Sequence, residues 1–179
     1  MEIISLIPTV HNKVWGGTRL ITEYGFETDK NNIGEAWLLS AHPDGPSYVK
    51  NGKYAGKTLA EVYAAEGNGI LGTHNANKAG FPILIKLIDA RQKLSIQVHP
   101  GDEYARRVEH ENGKTEAWYI LDAAPEADLV YGLRKELTKQ AFSESIEKKK
   151  IESILNFVPV KQGDVVFIPS GMLHAFADL

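Results

Sequence analysis

The chain contains no cysteine. That excludes disulfides and thiolate metal sites, so any metal must be held by nitrogen and oxygen ligands. Strongly basic clusters are also missing, and a formal charge of −3 leaves no electrostatic footprint for nucleic acid. The one basic run, Lys148-Lys149-Lys150, sits between Glu147 and Ile151-Glu152 and reads as a solvated helix surface. No stretch is long and apolar enough to span a bilayer, and Met1-Glu2-Ile3-Ile4 has no signal-peptide pattern. The expectation is a cytoplasmic protein with neither a membrane nor a nucleic-acid partner. There is no internal repeat, low-complexity tract or linker. What is present, 179 residues of which 43% are hydrophobic and 24% charged, suits one soluble domain over residues 1–179.

Two stretches organise the rest. Lys93-Leu94-Ser95-Ile96-Gln97-Val98-His99-Pro100-Gly101 reads as a strand whose polar residues Ser95, Gln97 and His99 share one face. The neighbouring strands are too apolar for an exposed sheet. A polar row turned into a barrel is the other solution, and such an interior can hold a cation. Gly113-Lys114-Thr115-Glu116-Ala117-Trp118 puts Lys114, Glu116 and Trp118 on one face of a second strand. A third candidate ligand, His174, follows Val165-Val166-Phe167-Ile168 and the turn Pro169-Ser170-Gly171. Imidazole, carboxylate and amide oxygen suit Zn²⁺, and less selectively other first-row divalent metals.

Along the remainder, Ile33 to Ser40 reads as a strand closed by the turn His42-Pro43-Asp44-Gly45, with His42 structural or exposed. Thr58-Leu59-Ala60-Glu61 is a capping box opening a helix that stops at Gly67-Asn68-Gly69, and His74 falls in a polar loop. The near-continuous apolar run from Phe81 to Ala90 predicts a strand buried on both faces, with Lys86 either near the site or snorkelling to the surface. A short helical turn over 102–108 leads into a loop with a solvated His110. The Glu116 strand should pair with 128–133 across Ala124-Pro125-Glu126. Thr138 caps a helix, and 157–168 reads as strand, hairpin loop, strand.

The pattern Gly163, Pro169, Gly171, His174 resembles the second motif of the cupin superfamily, and Gln97-Val98-His99-Pro100-Gly101 with Glu116 resembles its first. More narrowly, the chain resembles the type I mannose-6-phosphate isomerases. The matching residues are Trp15-Gly16-Gly17, Gly34-Glu35-Ala36-Trp37 with Ser40-Ala41-His42-Pro43, Ile96 to Pro100, Gly113 to Tyr119, and Gly163 to His174. The resemblance implies a mainly β fold with a few helices, a cupin-type jelly-roll β-barrel. It implies one Zn²⁺ per chain held by Gln97, His99, Glu116 and His174, with Lys114 lining the site as a catalytic residue. The implied reaction interconverts mannose 6-phosphate and fructose 6-phosphate. Members of this family run well past the His174 position and supply a catalytic arginine and further strands from there. The resemblance therefore implies a barrel incomplete at its C-terminal side and a chain impaired or inactive by itself. An open barrel edge predicts association of like chains or poor solubility.

For such an isomerase the chemistry asks for stabilisation of an enediol's oxygens, which a divalent metal and Lys114 could share. Two rival classes fit parts of the pattern. One is a non-catalytic cupin module that binds metal or sugar phosphate. The other is a metal-dependent cupin of another reaction class, such as an Fe(II) dioxygenase, against which Gln97 counts.

Overall fold

A computed structural model describes residues 3–73 and 80–178. The polypeptide divides into two compact units, Met1–Arg91 and Gln92–Leu179. His74 lies outside the described residues.

The first unit is built on an antiparallel sheet in the order β2 (Thr9–His11), β3 (Glu35–Leu39), β5 (Ile85–Ile88). Alternation along β3 turns Ala36 and Leu38 towards a core of Leu20, Ile33 and Ala36, which also gathers Val10, Ile21, Phe26 and Leu87. Glu35 and Trp37 consequently take the opposite face. In register, His11 lies across from Glu35 and Trp37 across from Lys86. A second pair joins β1 (Leu6–Ile7) to β4 (Tyr48–Val49), and a short helix α1 (Arg19–Thr22) precedes β3. Helix α2 (Leu59–Glu66) begins where the capping box places it. The Thr58 hydroxyl accepts from the Glu61 N–H, the Glu61 carboxylate accepts from the Thr58 N–H, and Gly67 ends the helix at φ 61°.

The apolar run before residue 90 forms less strand than its composition suggests. Only Ile85–Ile88 pairs, β5 ends its sheet among the described residues, and Ile83 and Ile85 are exposed, so the expectation of a strand buried on both faces does not hold.

In the second unit one sheet runs β10 (His174–Asp178), β7 (Asp128–Leu133), β8 (Leu155–Pro159), and a separate pair joins β6 (Glu116–Tyr119) to β9 (Val165–Ile168). Val130, Leu155 and Ala175 form its core, with Leu133, Ile151 and Phe157 packed on them. Two expected hairpins are replaced by exchanges between sheets. Strand β6 pairs with β9 rather than with β7, and β8 pairs with β7 rather than with β9. The crossing occurs at 160–164: the Val160 N–H donates to the Ala127 carbonyl, whereas the Gly163 N–H donates to the Ile120 carbonyl. Alternating hydrophobicity orients a strand's faces but does not choose its partner. Helix α3 (Lys139–Glu147) starts at the predicted cap, where the Thr138 hydroxyl accepts from the Ala141 N–H.

The expectation of a mainly β chain with a few helices is borne out, and among the described residues no sheet closes on itself. No described helix is long and apolar enough to cross a membrane.

Candidate metal centre

The segment carrying Gln97 and His99 is extended but not a ladder strand, which corrects the sequence reading. Gln97 and His174 exchange both backbone hydrogen bonds at 2.9 Å, yet the next contact is from the Leu94 N–H to the Phe176 carbonyl at 3.1 Å. Three residues on one side oppose two on the other, and this one-residue excess breaks the ladder as a bulge does. The Gln97–His174 pairing nevertheless fixes two of the predicted ligands side by side in the backbone.

His174 arrives through the turn at Pro169–Met172. The Met172 N–H donates to the Pro169 carbonyl at 3.2 Å, and Gly171, at φ 86°, takes the left-handed third position of that turn. His174 is 3% exposed, and its Nδ1 lies 2.9 Å from the Met172 carbonyl oxygen. A carbonyl can only accept, so Nδ1 carries the proton and Nε2 presents its lone pair. That Nε2 faces Glu116 Oε2 at 3.6 Å, while His99 Nε2 faces Glu116 Oε1 at 3.6 Å. One ligand atom from each of His99, Glu116 and His174 lies within 4.8 Å of the others. Trp118 orients the carboxylate by donating from Nε1 to Oε2 at 3.1 Å, and its ring stacks on Phe176 at 4.1 Å between centroids.

Lys114 Nζ lies 2.7 Å from Glu116 Oε1 and 3.1 Å from His99 Nε2. Burial of the Glu116 carboxyl works against its charge. The hydrogen bond and charge of Lys114, with His99 and His174, outweigh it and hold the carboxyl below its ordinary pKa. Two imidazole nitrogens and an ionised carboxylate, all converging, are a donor set that fits a borderline divalent cation. Gln97 is set beside His174 by the backbone pairing. Four of the residues singled out in the sequence (His99, Lys114, Glu116, His174) are thus brought together by side chain, and Gln97 joins them through the main chain.

Sequence reasoning missed a second polar group, in the first unit. Trp37 Nε1 donates to Glu35 Oε2 at 2.6 Å, and Lys86 Nζ donates to the same oxygen at 3.1 Å while lying 4.5 Å above the Trp37 ring. The signal was legible: Glu35-Ala36-Trp37 repeats Glu116-Ala117-Trp118, and in each the tryptophan donates to the glutamate two residues earlier. Lys86 is accordingly a paired ammonium rather than a snorkelling one. Burial opposes ionisation of Glu35, but Trp37 and Lys86 hold its carboxyl below the ordinary value. Of the other predicted histidines, His42 closes its turn by accepting the Asp44 N–H, and His110 sits in a loop at φ 60°.

His11 packs on Trp37 with ring centroids 4.6 Å apart, and its Nε2 is buried without a hydrogen-bond partner among the described residues. Burial lowers its pKa below the ordinary 6.5, although Glu35 pulls the other way. Above that value neither folded nor unfolded chain is protonated here; below it the unfolded chain takes the proton first. Stability is therefore expected to fall as pH drops through the mid-6 range. Thermal midpoints between about pH 8 and 5 should decline less in His11→Phe than in the parent.

The chain matches the model for "Phosphomannose isomerase type I, catalytic domain" over residues 3–147. It is 41% identical over 174 residues to a mannose-6-phosphate isomerase of Streptococcus mutans, covering 97% of this chain and 54% of that one. It superposes on the crystal structure of the mannose 6-phosphate isomerase from Bacillus subtilis with a TM-score of 0.90 at 40% identity, over 98% of this chain and 55% of that chain. At 18% identity it also shares the fold of a mannose 6-phosphate isomerase crystallised with zinc and yttrium (TM-score 0.70, covering 98% and 65%). The chain spans about half the length of these curated relatives.

Proposed function

This chain belongs to the type I phosphomannose isomerase family, with that family's mainly β cupin fold, and on that premise we propose that it carries the metal centre of a mannose 6-phosphate–fructose 6-phosphate isomerase. The observation that carries the reading is the convergence of His99 Nε2, His174 Nε2 and the Glu116 carboxylate. With Gln97 these residues would hold one Zn²⁺ per chain, zinc being one of the two metals named in one structure of the same fold. When bound, the ion would supply Lewis-acid polarisation and orientation of sugar oxygens.

The remaining work falls to the chain's own groups. Aldose–ketose isomerisation shifts a proton between C1 and C2 through an enediol whose oxygens gather negative charge. Lys114, two residues before Glu116 and 43% exposed at its side chain, can place an ammonium beside that developing charge or against the phosphate. Met172 and Trp118 hold His174 and Glu116 in the ligating orientation, so that neither has to reorganise during the reaction.

The substrate assigned is a sugar phosphate, in the cytoplasm, with no nucleic-acid or membrane partner. Residues 1–179 are proposed to act as one metal-binding domain, which a single transition shared by fluorescence and circular dichroism would support. The partner proposed is a second copy. Ala117, Tyr119, Val165 and Phe167 share the outer face of the β6–β9 pair, with Tyr119, Val165 and Phe167 more than half exposed. Val165→Lys with Phe167→Lys is expected to shift sedimentation towards the monomer.

The deciding assay is turnover of mannose 6-phosphate by the zinc-loaded chain. Turnover abolished in His174→Ala supports the isomerase reading. A folded chain that binds zinc and turns over nothing would favour the non-catalytic module instead.

A further inference from the structure

We propose that Lys114 is a built-in competitor for the metal, an ammonium seated on two of the ligand atoms that must swing away for the ion to bind. The inference rests on the metal-centre reading and adds to it a role for Lys114 before substrate arrives.

Lys114 Nζ lies 3.1 Å from His99 Nε2 and 2.7 Å from Glu116 Oε1. An ammonium has donors and no lone pair, so in the first contact the imidazole nitrogen is the acceptor. A neutral imidazole has one such nitrogen with one in-plane lone pair. While it accepts from Lys114 it cannot ligate a metal. Glu116 Oε1 has a lone pair to spare, but a divalent ion there would stand against a full positive charge at hydrogen-bond distance. Glu116 Oε2 and His174 Nε2 are held differently, by Trp118 and by the Met172 carbonyl at Nδ1, and their lone pairs are aimed without any ammonium between them. The centre is therefore asymmetric: a ready half, His174 with Oε2, and a latched half, His99 with Oε1.

Displacement of Lys114 has somewhere to go. Its side chain is 43% exposed, against 20% for His99 and 19% for Glu116, so the ammonium can swing into solvent while its backbone stays two residues from the ligand. Metal loading and release of the Lys114 charge towards a bound sugar phosphate become one event. By linkage, an anion that draws Lys114 outward strengthens metal binding by the same factor.

The test is zinc affinity, measured by competition with a chromophoric chelator, for the parent, Lys114→Met and Lys114→Gln. Both variants are expected to bind zinc about tenfold more tightly, the scale of one charge-assisted hydrogen bond that no longer has to be broken. Competition for a lone pair does not screen with salt, so the gain should persist between about 0.05 and 0.5 M salt, a range over which the screening length between exposed charges shrinks from more than about 10 Å to a few ångströms. Unchanged or weaker affinity in the variants, with a parent that binds zinc, overturns the competitor role and leaves the metal centre standing. A gain that disappears in high salt overturns it too, because distant repulsion would then account for the effect. A parent and variants that all fail to bind zinc would overturn both.

Discussion

Replacing His174 with alanine is expected to abolish zinc retention. His174 is the most buried of the three converging side chains, and its Nδ1–H is tied to the Met172 carbonyl, so its Nε2 is aimed before any ligand arrives. Loss of an outer hydrogen-bond partner costs metal sites about 10–100-fold in affinity, and loss of the ligand itself should exceed that. Metal analysis after gel filtration, with far-UV circular dichroism as the control for folding, measures the effect. Zinc retained by a folded His174→Ala chain at the parental level would remove His174 from the centre.

Gly113→Val should damage the centre without touching a ligand. A Cβ at Gly113 would come within 2.5 Å of the Gly101 carbonyl carbon and closer still to the Asp102 nitrogen. These are backbone atoms and cannot turn aside. The close approach is used: the Gly113 N–H donates to the Asp102 carboxylate at 2.9 Å, and the Lys114 N–H donates to the Pro100 carbonyl at 3.1 Å. Together they dock the segment carrying His99 against the one carrying Glu116. Overpacking of this kind costs about 1–3 kcal/mol, and here the displaced segments bear the ligands, so zinc affinity should fall with stability. A lower urea midpoint with weakened zinc binding is the expected pair of results. A midpoint within error of the parent would mean that the two backbones are not held together as described.

How far the sequence carries the account depends on what kind of information each feature needs. The capping box at Thr58, the helix start at Thr138 and the turn ending at Gly171 were legible because each is decided within a few residues by hydrogen bonds and allowed φ. The face shared by Lys114, Glu116 and Trp118 followed from alternation alone, and half-buried Glu116 and Trp118 between exposed Ala117 and Tyr119 agree with it. Strand partners were not legible. The loops at 124–127 and 160–164 look like hairpin turns, but the chain changes sheets at them, and only long-range backbone pairing decides that. Nor could alternation foresee the extra residue between Leu94 and Gln97. The Glu35–Trp37–Lys86 group is legible only in part: Glu35 and Trp37 repeat the spacing of Glu116 and Trp118, whereas Lys86 joins them across strands from 51 residues away.

X-ray absorption at the zinc edge of the chain carrying one equivalent of zinc probes the central claim at the ligand atoms themselves. A first shell of nitrogen and oxygen only is expected, at about 2.0–2.2 Å, with the outer-shell scattering of two imidazoles. That imidazole signal should drop when His99 or His174 is replaced. A shell of oxygens alone, without imidazole scattering and unchanged by either substitution, would contradict it.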